Sequence, residues 1–273
     1  MSSTIAFIGG GNMARSLIGG LLARGRAASE LIVSDPVAAQ LDLLRTKFGV
    51  RTATSNIEAA READVVILAV KPQDLRTVLS EMKDVLQTKR PLLISIAAGI
   101  RASDIERWAN GLPVVRCMPN RPALQGCGMT GLFATNAVSA AHRRVAEDIL
   151  SAVGATLWLT EEEHMDAVTA LSGSGPAYFF LLIEMMEDAG LALGLPREIS
   201  RKLAVETAYG SGCMAHEASE SPATLREQVT SKGGTTEAAL RHLESHDVRS
   251  LYADAIAAAA HRSAELAREL GKN

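Results

Sequence analysis

The stretch from Ile5 to Ala14, Ile-Ala-Phe-Ile-Gly-Gly-Gly-Asn-Met-Ala, constrains this chain more than any other. Ala6, Phe7 and Ile8 read as a buried strand. Glycines follow, and the segment from Met13 opens a helix with Ile18, Leu21 and Leu22 at helical spacing. Gly9, Gly11 and Ala14 form the G-x-G-x-x-A version of the dinucleotide fingerprint. Its first glycine permits a tight turn, and its second lets backbone N–H groups approach a pyrophosphate. Unpaired amides and the helix dipole favour an anion there before any side chain contributes, with Asn12 and Met13 at the helix start. Turns collect glycine for other reasons too. Here Leu31-Ile32-Val33-Ser34-Asp35 supplies the second strand of the unit, so dinucleotide binding is the expectation.

The rest of the first half continues that alternation. Strands are expected near 4–9, 30–34, 64–70, 91–96 and 113–117, with helices near 12–25, 37–48, 56–62, 73–86 and 101–109. Short strands near 128–134 and 155–159, flanking a helix near 138–152, complete the domain. Runs such as Val65-Val66-Ile67-Leu68 and Leu92-Leu93-Ile94 are how doubly buried parallel strands read. The fold class is therefore α/β: an N-terminal doubly wound Rossmann sheet over residues 1–160, followed by an all-helical domain over 161–273. At 273 residues and 47% hydrophobic content, two cores are affordable in length and composition. The expected helices of the second half are 161–171, 176–193, 197–218, 222–229, 235–244 and 248–270. The last is alanine-rich, which suits close approach of a second subunit or simple helix propensity.

In an open α/β sheet, ligands bind outside the carboxyl ends of the strands. Asp35 ends the second strand, where it either accepts hydrogen bonds from an adenosine ribose or caps the following helix with Pro36 in its first turn. Ser34 and Asn56 join the expected cofactor set. Val70 and Lys71 follow a central strand, and the lysine is read as a ribose or phosphate contact against the alternative of a solvated loop residue. Ala97, Ala98 and Gly99 leave room for a flat nicotinamide, as an ordinary strand-to-helix turn also does. Asn120, between two prolines, either orients a ligand or shapes a turn. Cys117 lacks a nearby base and reads as structural. In the helical half, Ser172 to Tyr178 reads as a loop of small residues. The segment Ser231-Lys232-Gly233-Gly234-Thr235-Thr236-Glu237 puts amides and hydroxyls at a helix start, suiting either a small carboxylate or a capping box.

Other classes are disfavoured. A formal net charge of −3, no block of basic residues and 4% aromatic content argue against nucleic acid. Apolar runs such as 256–260 are too short for a bilayer. No leader precedes the first strand and the three cysteines are scattered, so a cytoplasmic location is expected. The histidines, including the His242/His246 pair, lack a third ligand, and no metal is expected.

The motifs together resemble one family over essentially the whole chain: pyrroline-5-carboxylate reductase, the last enzyme of proline biosynthesis. The likeness rests on Gly9-Gly10-Gly11-Asn12-Met13, Val70-Lys71-Pro72, Ser95-Ile96-Ala97-Ala98-Gly99 and Met118-Pro119-Asn120. It rests above all on Leu171-Ser172-Gly173-Ser174-Gly175-Pro176-Ala177-Tyr178 and Thr230-Ser231-Lys232-Gly233-Gly234-Thr235-Thr236. The resemblance implies NADPH or NADH as hydride donor and 1-pyrroline-5-carboxylate as substrate. It also implies a homodimer through the helical domain, with dimers assembling further into rings. By the same resemblance the substrate sits at the dimer interface, Gly233, Gly234 and Thr235 hold its carboxylate beside Ser231 and Asn120, and Thr236 is the catalytic contact to the ring nitrogen. Lys232 stands where many relatives have proline, and Arg121 where threonine is common.

Overall fold

The computed structural model describes residues 3–271. Its eight strands are β1 (Ile5–Ile8), β2 (Leu31–Ser34), β3 (Arg51–Ala53), β4 (Val65–Leu68), β5 (Leu92–Ser95), β6 (Val114–Met118), β7 (Gly128–Ala134) and β8 (Gly154–Trp158). They form one sheet in the order β3-β2-β1-β4-β5-β6-β7-β8. Every neighbouring pair is parallel except β6 with β7. The first six strands follow the doubly wound nucleotide-binding order, whose topological switch lies between β1 and β4.

The continuous apolar strands are explained by two cores, one on each face. Ile5, Phe7, Val33, Ile67, Ile94 and Val115 point to one, and Ala6, Ile8, Ile32, Val66, Leu68 and Leu93 to the other. A strand covered on both sides has no polar face to alternate with. Helices α1 (Asn12–Ala23), α2 (Ala38–Phe48), α3 (Asn56–Glu62), α4 (Leu75–Glu81), α5 (Lys83–Lys89), α6 (Ala102–Trp108) and α7 (Ala140–Ser151) connect the strands.

Three local expectations are corrected. Strand β3 was not anticipated: it is a three-residue edge strand in which only Ala53 is buried, so it has no apolar run to announce it. The helix expected over 73–86 is a 3-10 turn at Pro72–Asp74 followed by α4 and α5, which meet at the fully buried Met82. The small-residue segment from Ser172 is no loop. After α8 (His164–Val168) the backbone widens into a π turn at Thr169–Gly173 and enters α9 (Gly175–Ala192) directly. A Cβ at Gly173 would lie 2.5 Å from Met118 Cε, so the glycine permits the close approach of that turn to β6.

Beyond α9 come α10 (Arg197–Glu217), α11 (Pro222–Gln228), α12 (Thr235–Ser245) and α13 (Val248–Gly271). The chain divides into two compact units: one takes in everything to Ser174 together with the stretch from Ala259 on, and the other is Gly175–Ala258. The last strand ends at Trp158, two residues before the boundary expected at residue 160, but α8, the π turn and the last turns of α13 belong with the sheet unit. There Ser263 Oγ donates to Asp166 Oδ1 (2.7 Å), and Leu266 and Leu270 lie against Gly99.

In the second unit α9 lies against α10, where a Cβ at Gly190 would collide with Ser200 Oγ, itself donating to Glu187 O at 2.6 Å. Only Gly175 and Gly190 of α9 are buried. Phe179 is 63% exposed, Phe180 61% and Met185 52%. The run His164–Ala192 is long and apolar enough, by length and composition, to cross a membrane. The expectation that every apolar run is too short is thereby corrected: small residues and a proline in the sequence hide the continuity of the helix.

Candidate active site

The fingerprint loop sits at the topological switch. Gly9 has φ +101°, and a Cβ there would stand 2.6 Å from Ala69 O, so this turn requires glycine. Gly9 N–H donates to Ser34 O at 2.8 Å and Ala69 N–H to Ile8 O at 2.8 Å, which ties the ends of β1, β2 and β4 together. Gly11 caps α1, and nothing lies within 4 Å of where its Cβ would be. The first amides of α1 have no intrahelical acceptor. Open space over Gly11 in front of them is a cradle that fits a pyrophosphate.

Beside it lies a cavity of about 490 Å³ lined by Gly9, Ser34, Thr54, Ser55, Asn56 and Val70 among others. Ser34 Oγ donates to Asn56 Oδ1 at 2.8 Å. These are hydroxyls and an amide, groups that hydrogen-bond a ribose hydroxyl or a phosphate oxygen alike. Thr54 and Ser55 were not singled out from sequence, because they follow the unannounced strand β3. A second cavity of about 480 Å³ runs along α1 past Gly19, Gly20 and Phe48, and shares only Asn12 with the expected site.

Asp35 makes backbone contacts that the sequence readings did not name. Its Oδ2 accepts from Gly10 N at 2.8 Å and its Oδ1 from Val37 N at 2.8 Å. The N-cap of α2 is Val37, so Asp35 is not that cap. Its carboxylate braces the glycine loop against the turn after β2. Lys71 is exposed at the start of the 3-10 turn, with Asp74 N–H donating to its carbonyl at 3.0 Å.

After β5, Ala97 and Gly99 are buried and Ala98 is exposed. Gly99 has φ +75°. Ala97 N–H donates to Ser95 Oγ at 3.3 Å. The half-buried Asn120 is engaged at both ends of its amide: its Nδ2 donates to Ser172 O (3.1 Å) and Ser172 Oγ (3.3 Å), and its Oδ1 accepts from Met129 N (2.9 Å). It links β7 to the π turn, so the geometry gives it an organising place rather than an open ligand contact. Cys117 is buried, and burial pushes its thiol far above the ordinary range, which rules it out as a thiolate nucleophile.

A charged pair lies close by. Arg116, in the middle of β6, is 4% exposed, and its Nη1 donates to Glu162 Oε1 at 2.8 Å; Glu162 is 11% exposed. The same Oε1 accepts from Ala102 N at 2.6 Å. Removing one partner of such a pair leaves a buried charge, at a cost of roughly 3–5 kcal/mol. The signal in the sequence was an arginine inside an otherwise apolar strand.

In the second unit, the segment before α12 combines both readings made from sequence. Gly233 has φ +75°, and its N–H donates to Glu237 Oε2 at 2.6 Å. Gly234 N–H donates to Ser231 O at 3.0 Å. The acidic residue thus reaches back as in a capping box. The first helical amide to find an intrahelical acceptor is that of Ala238, on Gly234 O at 3.2 Å. The amides of Thr235 and Thr236 are left without one in the helix, whereas those of Gly233 and Gly234, expected to hold a carboxylate, are already engaged.

Comparison with known proteins gives these loops a family. Residues 162–266 match the model for pyrroline-5-carboxylate reductase dimerisation, and residues 4–99 match that for coenzyme F420-dependent NADP oxidoreductases. A pyrroline-5-carboxylate reductase from Pseudomonas aeruginosa is 49% identical over 269 residues, 98% of each chain. The structure of such a reductase from Coxiella burnetii superposes with a TM-score of 0.94 at 42% identity, covering 97% of this chain and 99% of that one. The Plasmodium falciparum pyrroline carboxylate reductase with NADP bound gives 0.84 at 30% identity, over 97% and 98%. Likeness of this extent, running through the glycine loop, the π turn and the segment before α12 alike, places the chain in the pyrroline-5-carboxylate reductase family.

Proposed function

We propose that this chain reduces 1-pyrroline-5-carboxylate to L-proline with NADPH or NADH. The observation that carries the reading is the glycine cradle at the sheet's switch point, with open space over Gly11 and the cavity beside Ser34 and Asn56. Gly9, Gly11, Asn12 and Met13 hold the pyrophosphate, while Ser34, Asn56, Val70 and Lys71 surround the adenosine ribose. Asp35 supports the loop from behind through Gly10. Ala97, Ala98 and Gly99 border the nicotinamide. When bound, that ring supplies a hydride for the imine carbon of the substrate.

The chain's own contribution is to bind and orient. The amides of Thr235 and Thr236, at the positive end of α12, receive the substrate carboxylate. Gly233 and Gly234 shape the turn, Ser231 accepts from Gly234, and Thr236 Oγ1 holds the ring nitrogen. Asn120 fixes the π turn. A cyclic imine that arrives protonated needs no strong acid, so hydroxyls and amides suffice, and catalysis rests on holding two rings in register. The exposed apolar residues of α9 are covered by a second copy of the chain, giving a homodimer. Cys117, Cys127 and Cys213 are all free, which suits the cytoplasm.

Initial rates with the pyrroline substrate, measured with NADPH and NADH in parallel, test the reading. Consumption of reduced cofactor with stoichiometric proline is expected. Cofactor that binds but is not consumed would overturn it in favour of a nucleotide-sensing role.

A further inference from the structure

We propose that Arg116 is a positioning residue for the nicotinamide end of the cofactor, acting through Glu162 on the segment from Ile96 to Ala102. This rests on the reading of Ala97–Gly99 as the nicotinamide border. Arg116 pairs in register with Ser95, the last residue of β5, so its side chain leaves the sheet where that segment begins. One oxygen of Glu162 receives both the guanidinium, at 2.8 Å, and the Ala102 amide, at 2.6 Å, where the segment ends. The start is held by Ala97 N–H on Ser95 Oγ, and Gly99 rests under Leu270 and Leu266, which stand 3.2 Å and 3.5 Å from where its Cβ would be.

The segment is thus fixed at its two ends and its middle, and only the far end depends on a charge. A neutral acceptor would cap Ala102 as well. A carboxylate there needs a buried countercharge, and Arg116 is it. With both groups almost wholly buried, neither is offered to solvent as a ligand contact. What they determine is how far the backbone after Ala98 stands from the cradle.

The test uses full-length protein carrying Arg116→Met, Arg116→Lys or Glu162→Gln. Each is titrated with NADPH and with 2′-phospho-ADP-ribose, which has every part of the cofactor except the nicotinamide. Arg116→Met is expected to weaken NADPH about tenfold or more while moving the fragment less than about twofold, and Arg116→Lys to recover most of the loss. Glu162→Gln keeps an acceptor for Ala102 but strands the guanidinium, and gives the same split if Arg116→Met does not fold. Equal weakening of the two ligands, or no change in either, overturns the positioning role. Wild-type protein that binds the fragment as tightly as NADPH would instead remove the nicotinamide from this segment, and the underlying reading would fail with the proposal.

Discussion

The sheet unit and the helical unit handle their apolar residues in opposite ways. In the first, Phe7, Ile67 and Leu68 are fully buried within one chain, on two faces of one sheet. In the second, Phe179, Leu182 and Leu251 are left 63%, 47% and 70% exposed. The first unit closes on itself, and its glycine loop is complete without help. The second contains the material of a core but only part of its walls. On the proposed function, cofactor binding belongs to the first unit and assembly to the second, so each is expected to be damageable while the other stands.

The largest effect is expected from Gly9→Val. A side chain at φ +101° meets Ala69 O at 2.6 Å, so cofactor binding should fall below detection by titration while the oligomeric state in light scattering stays unchanged. Loss of assembly in that variant would show the units to be coupled. Phe179→Glu with Leu182→Glu makes the reverse cut. Each buried apolar side chain is worth roughly 1.5–3 kcal/mol, so dissociation to monomers by sedimentation is expected, with cofactor affinity retained. A dimer that survives both charges would place the interface elsewhere.

Thr236→Ala sharpens the division within the catalytic cycle. Removing a hydrogen bond to a charged ring nitrogen should lower kcat by about ten- to a hundredfold and leave cofactor affinity in place. Weakened cofactor binding in that variant would count against the role given to Thr236. The smallest effect is expected from Asp35→Ala. Because its carboxylate accepts from Gly10 and Val37, the variant should weaken NADH and NADPH by a similar few-fold factor, roughly the worth of one or two backbone hydrogen bonds. An improvement with NADPH alone would mean that the carboxylate faces the ribose instead.

What was legible in the sequence follows the same division. Strands covered on both faces are written as apolar runs, and the glycine loop is written as glycines placed directly between an apolar strand and a helix. Strand β3 was not legible, since Arg51 and Thr52 lie on a sheet edge and carry no pattern. Nor was the π turn, because small residues and Pro176 serve a helix start as readily as a loop. Many residues of the site were visible as types, though Thr54, Ser55 and Glu162 were not, and most of the partners were hidden. That Asp35 turns to Gly10 and that Asn120 is taken up by Ser172 and Met129 are outcomes of tertiary geometry, whereas the reach of Glu237 back to the Gly233 amide was foreseen as a capping box. Sequence spacing does not encode the first two.

The return of α13 to the sheet unit has a consequence for biosynthesis. Leu266 and Leu270 cover Gly99, and Ser263 meets Asp166, although some hundred residues of chain separate Ser263 from Asp166. While the chain is still emerging from the ribosome, the sheet can form early, but the loop after β5 stays uncovered until the stretch through Leu270 is out. A nascent chain stalled short of Leu266 is therefore expected to hold the loop after β5 loosely, and so to bind the proposed dinucleotide more weakly than the released chain.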